Sequence, residues 1–328
     1  MTVCVGICTY NGAKYIRAQL ESILNQTVKV DQIVISDDAS TDNTVEIVKD
    51  VLVDSGVDYI ISVNEKNQGL TKNGSICNSL LSGDIVIVCD QDNVWEPNLV
   101  EKFKEFFSNN KEAVYAFCNG YVTDKDLNIV KPIYDDKFMS MDEHTRVVNA
   151  LTERSFPHGN TVALKRSFLN YIMPYMFYCD EWQSVCAFTS GYGFGSIDEK
   201  LVYFRRHENT LSNSEKTDNK KSPLKGIFYK KFDEHFAWPY HQYKAYEKLL
   251  SLFKDTMKEE YASIVLSHMN FSKELSDLRE YNIFQRENKI IKLYKKDDYR
   301  NYRGNRNTLF MDMIFLFIKQ EKRWKLIN

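Results

Sequence analysis

Four short apolar runs mark the first hundred residues: VCVGICTY (3–10), DQIVISDDAS (31–40), DYIISVNE (58–65) and DIVIVCDQD (84–92). Runs this length and this rich in β-branched residues read as strands buried on both faces. The stretches between them have helical length. Residues 13–26 set Ile16, Leu20, Ile23 and Leu24 on one face. Residues 41–56 open on Thr41, a candidate N-cap, and end at Gly56, while residues 71–83 close at Gly83. Strands alternating with helices predict the α/β class, a mostly parallel, Rossmann-like sheet covered on both faces. Ligands in such sheets bind beyond the carboxyl ends of the strands. The polar clusters TYNG, DDAST and DQDN fall at those ends.

The remaining chain changes character. Eleven of the 13 glycines precede residue 213, and no proline follows Pro239. Residues 113–212 read as a mixed region that completes the sheet. Residues 213–226 are polar and charged, a linker or mobile loop, and residues 227–328 read as helix. Charge divides at the same place. Residues 1–212 hold 19 Lys and Arg against 29 Asp and Glu, and residues 213–328 hold 24 against 16. The acidic front argues against a nucleic-acid partner.

Seven cysteines, an odd count without a CxxC pair, fit free thiols in a reducing cytosol. The opening TVCVGICTYN lacks a basic leader segment, and no run approaches the roughly 20 apolar residues that span a bilayer. A cytoplasmic location is expected. The run LFMDMIFLFI (309–318) is flanked by Arg300, Arg303, Arg306, Lys319, Lys322, Arg323 and Lys325. It suits an interfacial anchor on an anionic membrane surface. It suits equally a terminal helix docked on its own chain, or on a second copy in a homodimer.

The sharpest chemical signal is CDQDNVW, with Asp90 and Asp92 two residues apart at a strand end. Unpaired carboxylates there either face water or hold a cation. Mg²⁺ or Mn²⁺ suits such oxygen ligands and also takes phosphate oxygens. Alone, Asp-x-Asp fits a solvated turn better than a metal site.

Context alters that balance. CTYNGAKYIRAQLESILNQT, IVISDDASTDNT, NQGLTKNGSICNSLLSGDIVIVCDQDNVW, HGNTVALKRSFL, YCDEWQSVCAF and IDEKLVYFRRHENTLSNS occur in an order that resembles the family-2 glycosyltransferases. These inverting enzymes have the GT-A fold, and the likeness is greatest to bacterial rhamnosyltransferases and O-antigen or capsule transferases. It covers about residues 1–214. It implies a nucleotide-sugar half over 1–112, an acceptor and base half over 113–212, and a helical C-terminal extension.

The resemblance implies the following roles. Thr9, Tyr10 and Asn11 border the base, and Asp38 bonds the pyrimidine ring. Lys72, Asn73 and Gln91 lie near the nucleotide or sugar. Asp90 approaches the ribose and metal, and Asp92 and His207 ligate Mn²⁺ or Mg²⁺. Arg205 or Arg206 neutralises diphosphate, and Asp180 is the general base. His158, Gly159, Glu181 and Trp182 fall on the acceptor side, although Trp182 and Trp95 suit packing better than a sugar platform. The implied partners are a dTDP- or UDP-linked rhamnose or hexose donor and a glycan or lipid-linked glycan acceptor.

The sequence departs from the family pattern in several places. Asn93 stands where relatives often carry a third acid, Cys179 where many carry His, and Glu181 where many carry an aromatic residue. His158 and Asn160 flank Gly159 where other members usually differ. A non-catalytic nucleotide-sugar or glycan binder is one competing reading. A sugar nucleotidyltransferase is another, but CTYNGAKY is not the Gly-rich basic loop it needs.

Overall fold

A computed structural model describes residues 1–174, 179–208, 210, 232–281 and 283–295. The chain divides into two compact units. One holds residues 1–150 and 154–208, the other 151–153 and 209–328.

In the first unit the opening runs become β1 (Val3–Thr9), β2 (Gln32–Asp37), β3 (Asp58–Val63) and β4 (Ile85–Asp90). They pair in parallel in the order β3-β2-β1-β4. β1 is buried on both faces because helices cover both sides of the sheet. α1 (Ile16–Leu24) buries Ile16, Gln19, Leu20 and Ile23, and α2 (Thr44–Leu52) buries Thr44, Val48 and Leu52, each along one helical stripe. α3 (Leu70–Leu80) buries small and polar residues instead: Asn73, Gly74, Cys77 and Asn78. It therefore lies close to the sheet, and a Cβ at Gly6 of β1 would sit 3.0 Å from the Cys77 sulfur.

Two expected helix ends differ. Thr41 does not cap α2, whose N-cap is Asn43. The Thr41 amide instead donates to Asn11 Oδ1 at 2.8 Å, tying the loop after β2 to the loop after β1. Gly83 lies beyond the end of α3. It is needed for close approach, since a Cβ there would collide with Cys4.

The sheet then changes direction. β5 (Val94–Trp95) is followed by α4 (Leu99–Asn109), β6 (Ala113–Thr123) and β7 (Ile129–Pro132). Next come α5 (Asp136–Met139), α6 (Glu143–Thr152), a 3-10 turn (Gly159–Thr161), β8 (Val162–Lys165) and α7 (Arg166–Ile172). α8 (Cys179–Thr189) and β9 (Gly193–Arg205) complete the unit. β8 lies antiparallel between β4 and β6, and β9 runs parallel to β6. The described strands form one nine-stranded sheet with β7 paired on β6. Its core joins Val5, Ile7, Ile33 and Ile87 to Phe103 and Phe107 of α4.

The second unit is helical where described: α9 (Phe232–Phe253), α10 (Glu259–Ser276) and α11 (Ile283–Lys295). α9 and α10 pack through Ala245, Leu249, Phe253, Tyr261, Val265 and Phe271, all buried. The 213–226 linker and the apolar run at 309–318 with its basic flanks lie outside the described residues. No described helix is long and apolar enough to cross a membrane.

Candidate active site

β5 builds the site. Val94 and Trp95 pair antiparallel with Tyr203 and Val202, so the residues just before β5 meet those at the end of β9. His207 Nε2 consequently lies 2.9 Å from Asp92 Oδ2. The His207 ring packs on Tyr15 with centroids 4.6 Å apart, and Arg205 covers the same tyrosine at 4.7 Å.

Of the two expected diphosphate arginines, Arg205 is only 7% exposed. Its Nε donates to the Asp92 carbonyl at 2.9 Å and its Nη1 to the Lys125 carbonyl at 2.8 Å. Arg205 therefore braces the strand end. Arg206 is more accessible and lies over the Phe204 ring, so it is the better placed to meet an anion. Asn93 also braces this corner, accepting the Arg205 amide at 3.3 Å and donating to Asp90 at 3.4 Å.

Asp90 is exposed at the end of β4, with its carboxyl set among surrounding protein groups. Its carboxyl is pushed up to about 7, first by burial and then by Asp92 and Asp180, against hydrogen bonds from Asn93 and Asn160. Three carboxylates thus share one field, a crowding that a divalent cation relieves. Carboxylate oxygens with one imidazole fit Mn²⁺ or Mg²⁺. Among the described residues no three His, Cys, Asp or Glu side chains form a complete cage.

Asp180 stands in the first turn of α8, where the positive end of the helix dipole favours a carboxylate. Its Oδ1 accepts the Glu181 amide at 3.0 Å. A Cβ on Gly159 would lie 3.4 Å from Asp180 Cβ, so the 3-10 turn passes directly beside it. The His158 ring packs between Tyr134 and Phe204. Burial pushes the His158 imidazole below its ordinary range; Asp180 opposes this and Arg206 adds to it.

Several expected contact residues carry structural packing or hydrogen bonds in the described fold. Trp182 is 0% exposed and donates Nε1 to the Ile172 carbonyl at 2.7 Å, which removes it from any acceptor surface. Glu181 is buried and pairs with Arg154 at 2.5 Å. Thr9 donates to Asp37 at 2.7 Å, and Asp37 also accepts the Ser40 amide at 2.8 Å, forming a turn. Asn73 is buried and bonds Ser36 and Asn64. Asp38 accepts from Asn64, Gln68 N and Gly69 N at 2.7–2.9 Å, fixing the loop ahead of α3. Asn11 holds the neighbouring loop with φ 48°. Gln91 clasps both the amide and the carbonyl of Tyr10, at 3.0 and 3.1 Å. The Tyr10 ring and Lys72 remain exposed.

A sequence profile described as glycosyl transferase family 2 matches residues 4–172. The chain belongs to this family. An uncharacterized glycosyltransferase of Nostoc sp. is 25% identical over 212 residues, 63% of this chain and 65% of that protein. The chain therefore matches slightly less than two thirds of that relative's length. Chondroitin synthase of Escherichia coli is 27% identical over 143 residues, 44% of this chain and 21% of that protein. Among solved structures, S. aureus TarS 1–349 in complex with UDP-GlcNAc aligns with a TM-score of 0.58 at 16% identity, covering 83% of this chain and 72% of TarS. The mannosyltransferase PcManGT from Pyrobaculum calidifontis, in complex with GDP-Man and Mn²⁺, gives 0.53 at 15% identity, covering 96% and 84%. These likenesses show the GT-A fold.

In this member of glycosyl transferase family 2, sequence reasoning missed Tyr15 and Tyr134. Tyr15 backs His207, and Tyr134 Oη accepts the His158 amide at 2.6 Å. Both lie far in sequence from the residues they hold. Only the clustering of aromatics offered a signal.

Proposed function

We propose that the protein is an inverting, metal-dependent glycosyltransferase. It moves rhamnose or a hexose from a dTDP- or UDP-linked donor to a glycan or lipid-linked glycan during cell-surface polysaccharide synthesis. The observation that carries this reading is the meeting of Asp92 and His207 beside Asp90, with Asp180 in the same field. TarS with UDP-GlcNAc and PcManGT with GDP-Man and Mn²⁺ support it by analogy of fold.

Asp92 and His207 would hold the cation, with Asp90 adjoining. When bound, the ion neutralises charge on the leaving diphosphate. Arg206 adds a fixed positive charge on the same side. Asp180, whose Oδ1 is engaged by the Glu181 amide, takes the acceptor hydroxyl's proton on its other oxygen. Attack from the face opposite the diphosphate inverts the anomeric centre. Holding both sugars in line supplies much of the acceleration as entropy lost beforehand. The basic C-terminal segment, by its composition, would place the enzyme at the inner membrane face, where a lipid-linked acceptor resides.

Incubating the protein with a panel of nucleotide sugars, with Mn²⁺ or with chelator, tests the reading. Metal-dependent release of nucleoside diphosphate from one donor supports it. Binding without any release favours a non-catalytic binder.

A further inference from the structure

Glu181 stands next to Asp180 in the first turn of α8, and only 5% of it is exposed. A carboxylate enclosed in this way is costly unless a counter-charge meets it. Arg154 supplies one, its Nη2 lying 2.5 Å from Glu181 Oε2, with the guanidinium end half-exposed. Burial pushes the Glu181 carboxyl up; Arg154 opposes this and Asp180 adds to it.

Arg154 reaches Glu181 from a strained position. Its φ is 54°, in the left-handed region that a long side chain seldom adopts. Such a residue persists only where its surroundings hold it, and such strain gathers where the placement of a side chain matters. The next residue is tied to α6, the Ser155 amide donating to the Asn149 carbonyl at 3.2 Å. Farther along, the Tyr134 hydroxyl takes the His158 amide at 2.6 Å. Gly159 then passes so near Asp180 that a Cβ on it would lie 3.4 Å from Asp180 Cβ. One anchored segment therefore meets both carboxylates: Arg154 grips Glu181, and Gly159 flanks Asp180.

We propose that Arg154 is a positioning residue for the base: by pairing with Glu181 it pins the first turn of α8 and cancels the negative charge beside Asp180. The inference rests on the glycosyltransferase reading above and adds to it the group that keeps Asp180 aimed. Without Arg154 the buried Glu181 carboxylate turns toward water, and the turn that carries Asp180 moves with it. Removing both charges leaves no buried charge to relieve, so a second substitution at Glu181 reverses the damage.

The test uses the full chain in Mn²⁺, with water as the acceptor. Release of nucleoside diphosphate from UDP-glucose, UDP-galactose, UDP-GlcNAc and dTDP-rhamnose identifies the donor hydrolysed fastest, and kcat and KM are measured on it. The variants are Arg154→Ala, Arg154→Lys, Glu181→Gln and the double variant Arg154→Ala with Glu181→Gln. Arg154→Ala lowers kcat by about 10-fold or more, because displacing a positioned group costs rate. Its KM and its calorimetric affinity for the nucleoside diphosphate stay within about two-fold of wild type, since ground-state binding is untouched. That unchanged affinity also reports an intact fold. Arg154→Lys, whose ammonium can still meet Glu181 Oε2, recovers kcat to within about three-fold of wild type. The double variant recovers to within about three-fold of Glu181→Gln alone, the non-additivity expected of a direct pair. An unchanged kcat in Arg154→Ala overturns the inference and leaves the glycosyltransferase reading standing. A loss that the double variant does not recover also overturns it, since Arg154 would then act by a route other than Glu181. Equal losses of kcat and nucleoside-diphosphate affinity overturn it as well, because they report general disruption of the site. Wild type that releases nucleoside diphosphate from none of the donors overturns the glycosyltransferase reading, and the inference falls with it.

Discussion

The imidazole of His207 and the carboxylate of Asp92 stand 2.9 Å apart although 115 residues separate them in the chain. The two-residue strand β5 makes the meeting possible by pairing with the far end of β9. Tyr15 and the braced Arg205 then fix the histidine's side of the pair. The arrangement is shared by two distant loops, so loss of either residue opens the site.

Asp92→Ala and His207→Ala should each weaken metal-dependent nucleoside-diphosphate binding by about 10-fold or more, the scale of losing a metal ligand or its support. Titration of UDP and dTDP in Mn²⁺ and in chelator checks this. Equal affinity in both media for wild type would remove the metal from the assignment.

Asp180→Asn should keep donor affinity and lower sugar transfer by about 10²-fold or more, the scale of removing a positioned base. Glu181→Gln should change transfer far less, because Glu181 is buried against Arg154 rather than facing the cleft. Transfer rates of both variants, with donor affinities measured alongside, separate the two carboxylates. A silent Asp180→Asn beside an inactive Glu181→Gln reverses the assignment.

The two adjacent arginines should behave oppositely. Arg206→Ala should weaken nucleoside-diphosphate binding by about 10-fold, as loss of a charge-assisted contact does, with little change in melting temperature. Arg205→Ala frees two backbone carbonyls and the Tyr15 face, so it should destabilise the fold by about 2 kcal/mol. Thermal melts and nucleotide titrations of both variants settle which arginine does which.

The first four strands were legible because their signal is local, a short apolar run that needs no knowledge of its partner. Burial on both faces followed for β1, β2 and β4, whereas β3, at the sheet edge, leaves Tyr59 and Val63 exposed. The α2 cap was misread because Thr41 has the right chemistry but is drawn to Asn11, a contact set by two loops meeting in space. β5 was invisible, since a two-residue strand has no periodicity and its pairing with β9 spans about a hundred residues. The same limit hid the roles of Arg205 and Arg206. A sequence shows two adjacent guanidiniums, and only the turn of β9 decides which one is buried. Family resemblance singled out Asp90, Asp92, Asp180 and His207, which the fold brings into one region. Spacing alone left the Asp pair as a solvated turn.

The C-terminal composition carries a prediction of its own. Basic residues outnumber acidic ones by 24 to 16 after residue 212, and seven of them flank the apolar run at 309–318. The full chain should therefore sediment with anionic vesicles, and a chain ending near Tyr299 should remain in the supernatant. Binding should fall with salt, because each basic residue contributes through a screened field. Identical sedimentation of the two chains rejects the membrane role and leaves docking onto protein.

The helical unit should show acid sensitivity through His268. This residue of α10 is buried, with Tyr246 of α9 at 5.6 Å, and burial pushes its imidazole from the ordinary value near 6.5 down to about 4. The unfolded chain therefore takes up a proton on His268 before the folded one does. Stability from this group is complete above about pH 7, falls as pH drops through 6.5, and levels off below about 4. The full loss is about 3 kcal/mol. Urea denaturation of the full chain, followed by helical circular dichroism between about pH 7 and 4.5, should show this decline. His268→Gln, which does not titrate, should be less stable at neutral pH yet lose less on acidification. A variant with the same pH slope as wild type would assign the acid sensitivity to other groups.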